Sequence, residues 1–385
     1  MKTGWFPAVL SAALLSLAPI TAASATSAGD ALKATSAAVV PAMEKNQIPG
    51  MAVGLVLDDQ TYIFNFGVAD MAAQRPVTNA TRFEIGSLSK TFTAALASYA
   101  EATGKLRLSD PAEKYLPQLE GSAFGKLQLM QLGTHTTGGM PLQVPDELRN
   151  EAQLLKFLRT WTPADKPGAV RSYSNVSIGA LGWITATRLG QDFKAAMHAQ
   201  LLQPLGLNST HFTVPAGETT NYAWGYTKDN RPVRVNPGLL DSEAYGIKTT
   251  AADLTTFLKA NMGMLPLDGP LEAALRNTRV GYFTIGKMTQ GLIWEAYPLP
   301  VELPALYEGN SSALILNPKP AAAQVPPGAP RSDVWVNKTG STGGFGAYAA
   351  FVPAKRFGIV VLANKNYPIS DRVEIAYRIY SSLYE

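Results

Sequence analysis

Both ends of the chain carry β-hairpin signals, and a helix-rich middle separates them. Met51 to Leu57 and Thr61 to Phe66 are β-rich runs around Asp58-Asp59-Gln60, and Ala347 to Val352 and Phe357 to Ala363 flank Pro353-Ala354-Lys355-Arg356. Each pair reads as a hairpin. Between them, Ser87 to Ala102 (ended by Gly104), Glu151 to Arg159 and Ile178 to Leu189 have helical patterns. Two further helices border the hairpins. Gly29 to Lys45 has Leu32, Val39, Val40 and Met43 roughly on one face, and Ser370 to Tyr384 starts at a serine suited to an N-cap. The implied fold is α+β: an antiparallel sheet built from both terminal segments with flanking helices, plus a mainly helical unit inserted between them. The boundaries expected are 26–85 and 240–385 for the sheet region and 86–239 for the helical region, with a site between the two. Gly309 to Arg331 is rich in proline and poor in periodicity, which reads as a long surface loop near a site.

Composition narrows the class. At 385 residues with 46% hydrophobic and 16% charged side chains, the chain can bury a sizeable core. A net charge of +4 without a dense basic run gives no footprint for nucleic acid. The absence of cysteine excludes disulfides and thiolate chemistry. Lys2, the apolar run from Phe6 to Ile20 and the small residues Ala23-Ser24-Ala25 read as a cleaved export signal over 1–25. The apolar run is shorter than the roughly 20 residues a membrane span needs. An exported enzyme acting in the periplasm, free of the membrane after cleavage and monomeric, is the expectation.

Three short motifs occur in order: Ser87-Leu88-Ser89-Lys90, Tyr173-Ser174-Asn175 and Lys338-Thr339-Gly340. Singly each is weak; order and context make the set strong. A serine hydroxyl is a poor nucleophile until a neighbour takes its proton. Ser87 stands where Phe83-Glu84-Ile85-Gly86 gives way to a helical run, so it meets the positive end of a helix. Lys90, three residues on, shares its face. Ser89 has Phe92 at the equivalent spacing and lacks that lysine. Tyr173 is the second group. A free phenol is only about 0.1% ionised at pH 7, but one nearby cation lowers a pKa by roughly 1–3 units. Lys90 and Lys338 together would bring Tyr173 within reach of neutral pH. Asn175 offers an amide to Lys90 and to a substrate carbonyl. Lys338-Thr339-Gly340 follows the β-like Asp333 to Val336 and leads into a glycine-rich turn, which suits close approach of a ligand carboxylate to a lysine. The bland alternatives are an N-cap serine, a core tyrosine and a glycine-rich hairpin. With His135, His198 and His211 as the only histidines and no ligand-like spacing, neither a metal nor a cofactor is expected. His135 reads as structural, and no Gly-x-Ser-x-Gly elbow supports a Ser-His-Asp triad.

These motifs closely resemble those of the serine β-lactamases and penicillin-binding proteins. Tyr-x-Asn as the second motif resembles the class C (AmpC-type) β-lactamases. The stretches Met51–Gly54, Gln131–Thr136, Asn221–Tyr226, Ala244–Lys248 and Leu362–Pro368 are similar to AmpC segments in the same order. The resemblance implies the β-lactamase/transpeptidase-like fold and opening of the β-lactam ring of cephalosporins and penicillins through an acyl-enzyme. It implies Ser87 as nucleophile and Lys90 and Tyr173 as proton-transfer groups, with the identity of the acylation base open. It further implies backbone N–H groups of Ser87 and Ser341 as an oxyanion hole. Gln143, Asn175 and Tyr245 would line the side of the amide side chain. Lys338, Thr339, Gly340, Asn366 and Arg372 would surround the carboxylate, with Glu295 in a network beyond Lys338. Two departures stand out: Ile369 where some relatives carry Asn, and Ser341 where many carry Ala. A D-Ala-D-Ala peptidase and an esterase of the same fold are the rival activities. Cleavage after Ala25 predicts a mature chain starting at Thr26; N-terminal sequencing of exported protein checks it, and a chain retaining Met1 would contradict it.

Overall fold

A computed structural model describes Met1 and residues 27–384. The export signal read over 1–25 lies, Met1 apart, outside the described residues. Among these residues no helix is long and apolar enough to cross a membrane.

The main sheet has ten strands. In chain order they are β1 (Gly50–Leu57), β2 (Gln60–Asp70), β3 (Arg75–Pro76), β4 (Gly281–Ile285), β5 (Met288–Gln290), β6 (Glu295–Pro298), β7 (Ala322–Gly328), β8 (Val334–Ser341), β9 (Gly346–Val352) and β10 (Phe357–Ala363). Their spatial order is β7-β4-β5-β6-β8-β9-β10-β1-β2-β3. The two ends of the chain meet where β1 runs antiparallel to β10, with Met51 opposite Ala363 and Leu57 opposite Phe357. The first hairpin turns through Asp58 and Asp59, because Leu57 pairs with Gln60 and Asp58 takes a positive φ of 51°, a conformation aspartate tolerates.

Both faces of the central strands are buried, which explains their nearly unbroken apolar sequences. Val334 and Val336 of β8, Phe351 of β9 and Leu362 of β10 pack on one face with helices α1 (Lys90–Ala102) and α2 (Ala251–Asn261). Trp335, Tyr348 and Val361 point the other way, onto the terminal helices α3 (Ala28–Asn46) and α4 (Ile369–Tyr384). A third apolar cluster joins α1 to α5 (Asn175–Leu189) and Glu151–Thr160, away from the sheet.

Two expectations are corrected. The buried face of α3 is Ala31, Ala34, Thr35, Ala38 and Val39, whereas Leu32 and Val40 are exposed. Small residues pack that helix closely, so the large aliphatics point to the wrong side. The 309–331 stretch is also more ordered than a loop: it holds a helix (Ser312–Leu316), a short strand (Lys319–Pro320) and β7. As an edge strand with a register shift between Ala323 and Gly328, β7 accommodates Pro326 and Pro327, which have no N–H to donate.

The pair Val39 and Val40 tests the helix face. Val39→Ala removes fully buried methyls and should cost about 2 kcal/mol. Val40→Ala should stay within about 0.5 kcal/mol; urea midpoints of both variants check this.

Candidate active site

A turn of 3-10 helix (Gly86–Ser89) leads directly into α1 and carries Ser87 half-exposed at the helix entrance. Gly86 makes this entry possible. Its φ is +50°, and a Cβ there would lie 2.4 Å from the Ser341 carbonyl oxygen. Lys90 is wholly buried beneath Ser87. Its Nζ donates to Ser87 Oγ at 3.0 Å and to the Ala244 carbonyl at 2.8 Å. Ser89 is buried and accepts the Ile247 N–H at 3.2 Å, a structural role.

Tyr173 lies between a short strand (Val170–Arg171) and α5, whose N-cap Ser174 accepts the Ser177 N–H. Its ring rests 4.3 Å from the His135 ring. Lys90 Nζ and Lys338 Nζ stand 5.3 and 5.2 Å from the ring centroid. Burial pushes the phenol up, but Lys338, Lys90 and the nearby Ser87 hydroxyl together outweigh it and hold Tyr173 down to about 8. Burial likewise brings Lys90 down to about 8, opposed by Tyr173 and helped by Lys338. A phenol titrating near 8 is ionised in about one molecule in ten at pH 7, some hundredfold more than a free phenol, and an amine titrating near 8 is neutral in about the same fraction. His135, buried and facing Arg171 and both lysines, is held well below its ordinary value and is neutral. Its Nδ1 accepts the Ser174 N–H at 3.3 Å.

A cavity of about 440 Å³ opens over these groups. Ser87, Gln143, Tyr173, Asn175, Tyr245, Lys338, Thr339, Gly340 and Ser341 line it, with Ile369 among them. Three residues are arranged otherwise than the sequence suggests. Asn175 Nδ2 donates to Gln143 Oε1 at 2.7 Å, while its Oδ1, the atom that could accept from Lys90, has no partner among the described residues. Arg372 is fully buried and does not line the cavity. Its guanidinium donates to Gly340 O at 2.7 Å, Ser341 Oγ at 2.8 Å and Asn366 Oδ1 at 2.7 Å. Asn366 is exposed but also outside the cavity, occupied by Arg372. The apolar Ile369 stands on the cavity wall instead.

Sequence reasoning missed Arg171 and Glu84. Arg171 forms a buried ion pair with Glu295 at 2.7 Å and reaches Gln290 Oε1 at 2.7 Å. Glu295 is thereby paired with Arg171, and Lys338 donates to Thr339 O at 3.1 Å. No local pattern signals a contact between residues so far apart in sequence. Glu84 had one signal: an acid in an apolar run next to the nucleophile. Arg171→Met would leave Glu295 buried without its counter-charge. It should cost about 3–5 kcal/mol, read as a lowered urea midpoint; an unchanged midpoint would contradict the pairing.

Known proteins share this sequence and fold. The Beta-lactamase family model matches residues 35–383. A β-lactamase of Pseudomonas fluorescens is 48% identical, covering 92% of this chain and 99% of that protein. A structure described as D-alanine carboxypeptidase AmpC from Burkholderia cenocepacia is 50% identical, with a TM-score of 0.89 over 92% of this chain and 100% of the other. A class C β-lactamase from Rhodobacter sphaeroides is 43% identical, also with a TM-score of 0.89 and the same coverages of 92% and 100%. With its serine, lysine and tyrosine gathered in one cleft of this shared fold, the chain belongs to the β-lactamase family, among the class C enzymes.

Proposed function

We propose that the protein is a periplasmic hydrolase that opens the β-lactam ring of cephalosporins and penicillins through an acyl-enzyme on Ser87. The observation that carries this reading is the 3.0 Å contact between Ser87 Oγ and Lys90 Nζ beside a phenol flanked by two ammonium groups. Ser87 Oγ attacks the lactam carbonyl carbon. Its proton passes to the Lys90–Tyr173 pair and from Tyr173 to the ring nitrogen as the C–N bond breaks. Backbone N–H groups of Ser87 and Ser341 hold the tetrahedral oxygen. Water, losing a proton to the same pair, then cleaves the ester, releasing a carboxylic acid product and restoring Ser87.

Substrate is held by complementary ends of the cleft. Lys338 and Thr339 take the ring carboxylate. The unpartnered Asn175 Oδ1 and Gln143 take the amide side chain, with Tyr245 against its apolar part. Ile369 offers the carboxylate no hydrogen bond, and Arg372 supports the strand behind it. The sheet region (26–85 and 240–385) and the helical region (86–239) act as two jaws around this cleft. The protein acts as a monomer once the 1–25 signal is removed.

The description of the Burkholderia cenocepacia relative as a D-alanine carboxypeptidase supports a second reading, release of D-alanine from peptides by the same acyl-enzyme route. Deacylation separates the two. Turnover of a chromogenic cephalosporin with a short-lived adduct is expected, and Ser87→Ala should lower it by at least about 10⁴-fold. A long-lived stoichiometric adduct, with D-alanine released from a D-Ala-D-Ala peptide, would favour the peptidase. Full activity in Ser87→Ala would overturn both.

A further inference from the structure

We infer that Glu84 is a positioning residue for the oxyanion site, acting through Thr342. This rests on the reading of Ser87 and Ser341 N–H groups as the oxyanion donors. Those donors belong to chain segments that touch backbone to backbone. A Cβ on Gly86 would lie 2.5 Å from Ser341 N, and one on Gly340 would lie 1.9 Å from Ile85 O. With no side chain between the segments, their relative placement is set at the flanks.

One flank is the Arg372 guanidinium, which holds Gly340 O and Ser341 Oγ. The other is Glu84. Its carboxylate is 1% exposed, forms no ion pair with a described residue, and is fully engaged. One oxygen accepts the Tyr222 hydroxyl and the Val235 N–H, the latter at 2.8 Å. The other accepts Thr342 Oγ1 at 2.6 Å. Tyr222 is itself fixed under Arg234, whose Cζ sits 3.8 Å from the ring centroid. Glu84 therefore extends from the strand just before Gly86 and Ser87 to the residue just after Ser341. A single side chain spans the two N–H groups that must converge on one oxygen. Oxyanion stabilisation depends steeply on that convergence, since donors work only near 2.7–3.1 Å from the developing charge. A misplacement of about 1 Å can cost some 10²-fold in rate.

Thr342→Val tests the tether, because valine keeps the shape and removes the hydroxyl; Thr342→Ala is measured alongside it in case valine packs poorly. Both acylation and deacylation pass through a tetrahedral oxyanion, so kcat falls whichever step limits. The expected result is a 10–100-fold lower kcat and a matching loss of phenylboronic acid affinity, on the order of the misplacement cost. KM should change little, and Thr342→Ser should restore both readouts. Phenylboronic acid reports the site directly, since it forms a tetrahedral adduct on a nucleophilic serine. Wild-type kcat and boronate affinity in folded Thr342→Val and Thr342→Ala would overturn the inference. So would a raised KM with unchanged kcat, which marks a merely loosened cleft. Failure of the wild-type protein to bind boronate or turn over a lactam would instead sink the acyl-enzyme reading.

Discussion

Two ammonium groups and one phenol buried together, with no carboxylate among the described residues paired to either cation, are the constraint on which the site depends. Taking a lysine out of water disfavours its charged form, and taking a phenol out of water disfavours the phenolate. Here each penalty is reduced by the other group. Lys90 is brought into a range where it can lose a proton, and Tyr173 is kept from rising by the lysines beside it. The acid that acts on Tyr173, Glu295, is bound by Arg171, so its negative charge opposes the arrangement only weakly. The chemistry follows from this balance, since a proton-transfer pair works best when its members titrate near the working pH.

The scaffold makes that balance possible by supplying each group from a different rigid element. Lys90 comes from the first turn of a helix packed on the sheet, Lys338 from a central strand, and Tyr173 from the entrance to a helix of the inserted unit. The strand bearing Lys338 is locked on both sides by β6 and β9. Glycine at 86 and 340 then lets the serine turn and the strand end close to backbone contact. A fold with no disulfide holds these positions through a sheet covered on both faces by apolar side chains.

Much of this was legible in the sequence, and the exceptions have physical causes. The hairpin strands stand out as nearly unbroken apolar runs on either side of turn residues, and the helices by their helical period. Ser87 and Lys90 are legible because residues three apart on a helix share a face, and Lys338-Thr339-Gly340 because it ends a β-like run before a glycine-rich turn. The α3 face was misread because alanines carry the helix contact, and size is a poor guide where helices approach closely. Proline in 309–331 suggested irregular chain, yet an edge strand tolerates it. Arg372 and Asn366 are close in sequence and do meet each other, but they turn toward the Gly340–Ser341 backbone and not into the cleft. Glu84 and Thr342, and Arg171 and Glu295, meet only through tertiary folding, and no short pattern marks them.

The most direct test is the titration of Tyr173 itself. In protein labelled with [ζ-¹³C]tyrosine, one resonance, absent from Tyr173→Phe, should shift toward the phenolate position with a midpoint near pH 8. A Tyr173 resonance that stays phenolic until about pH 10, the value of a free phenol, would mean that the two lysines do no more than cancel the cost of burial. The proton relay would then have no base.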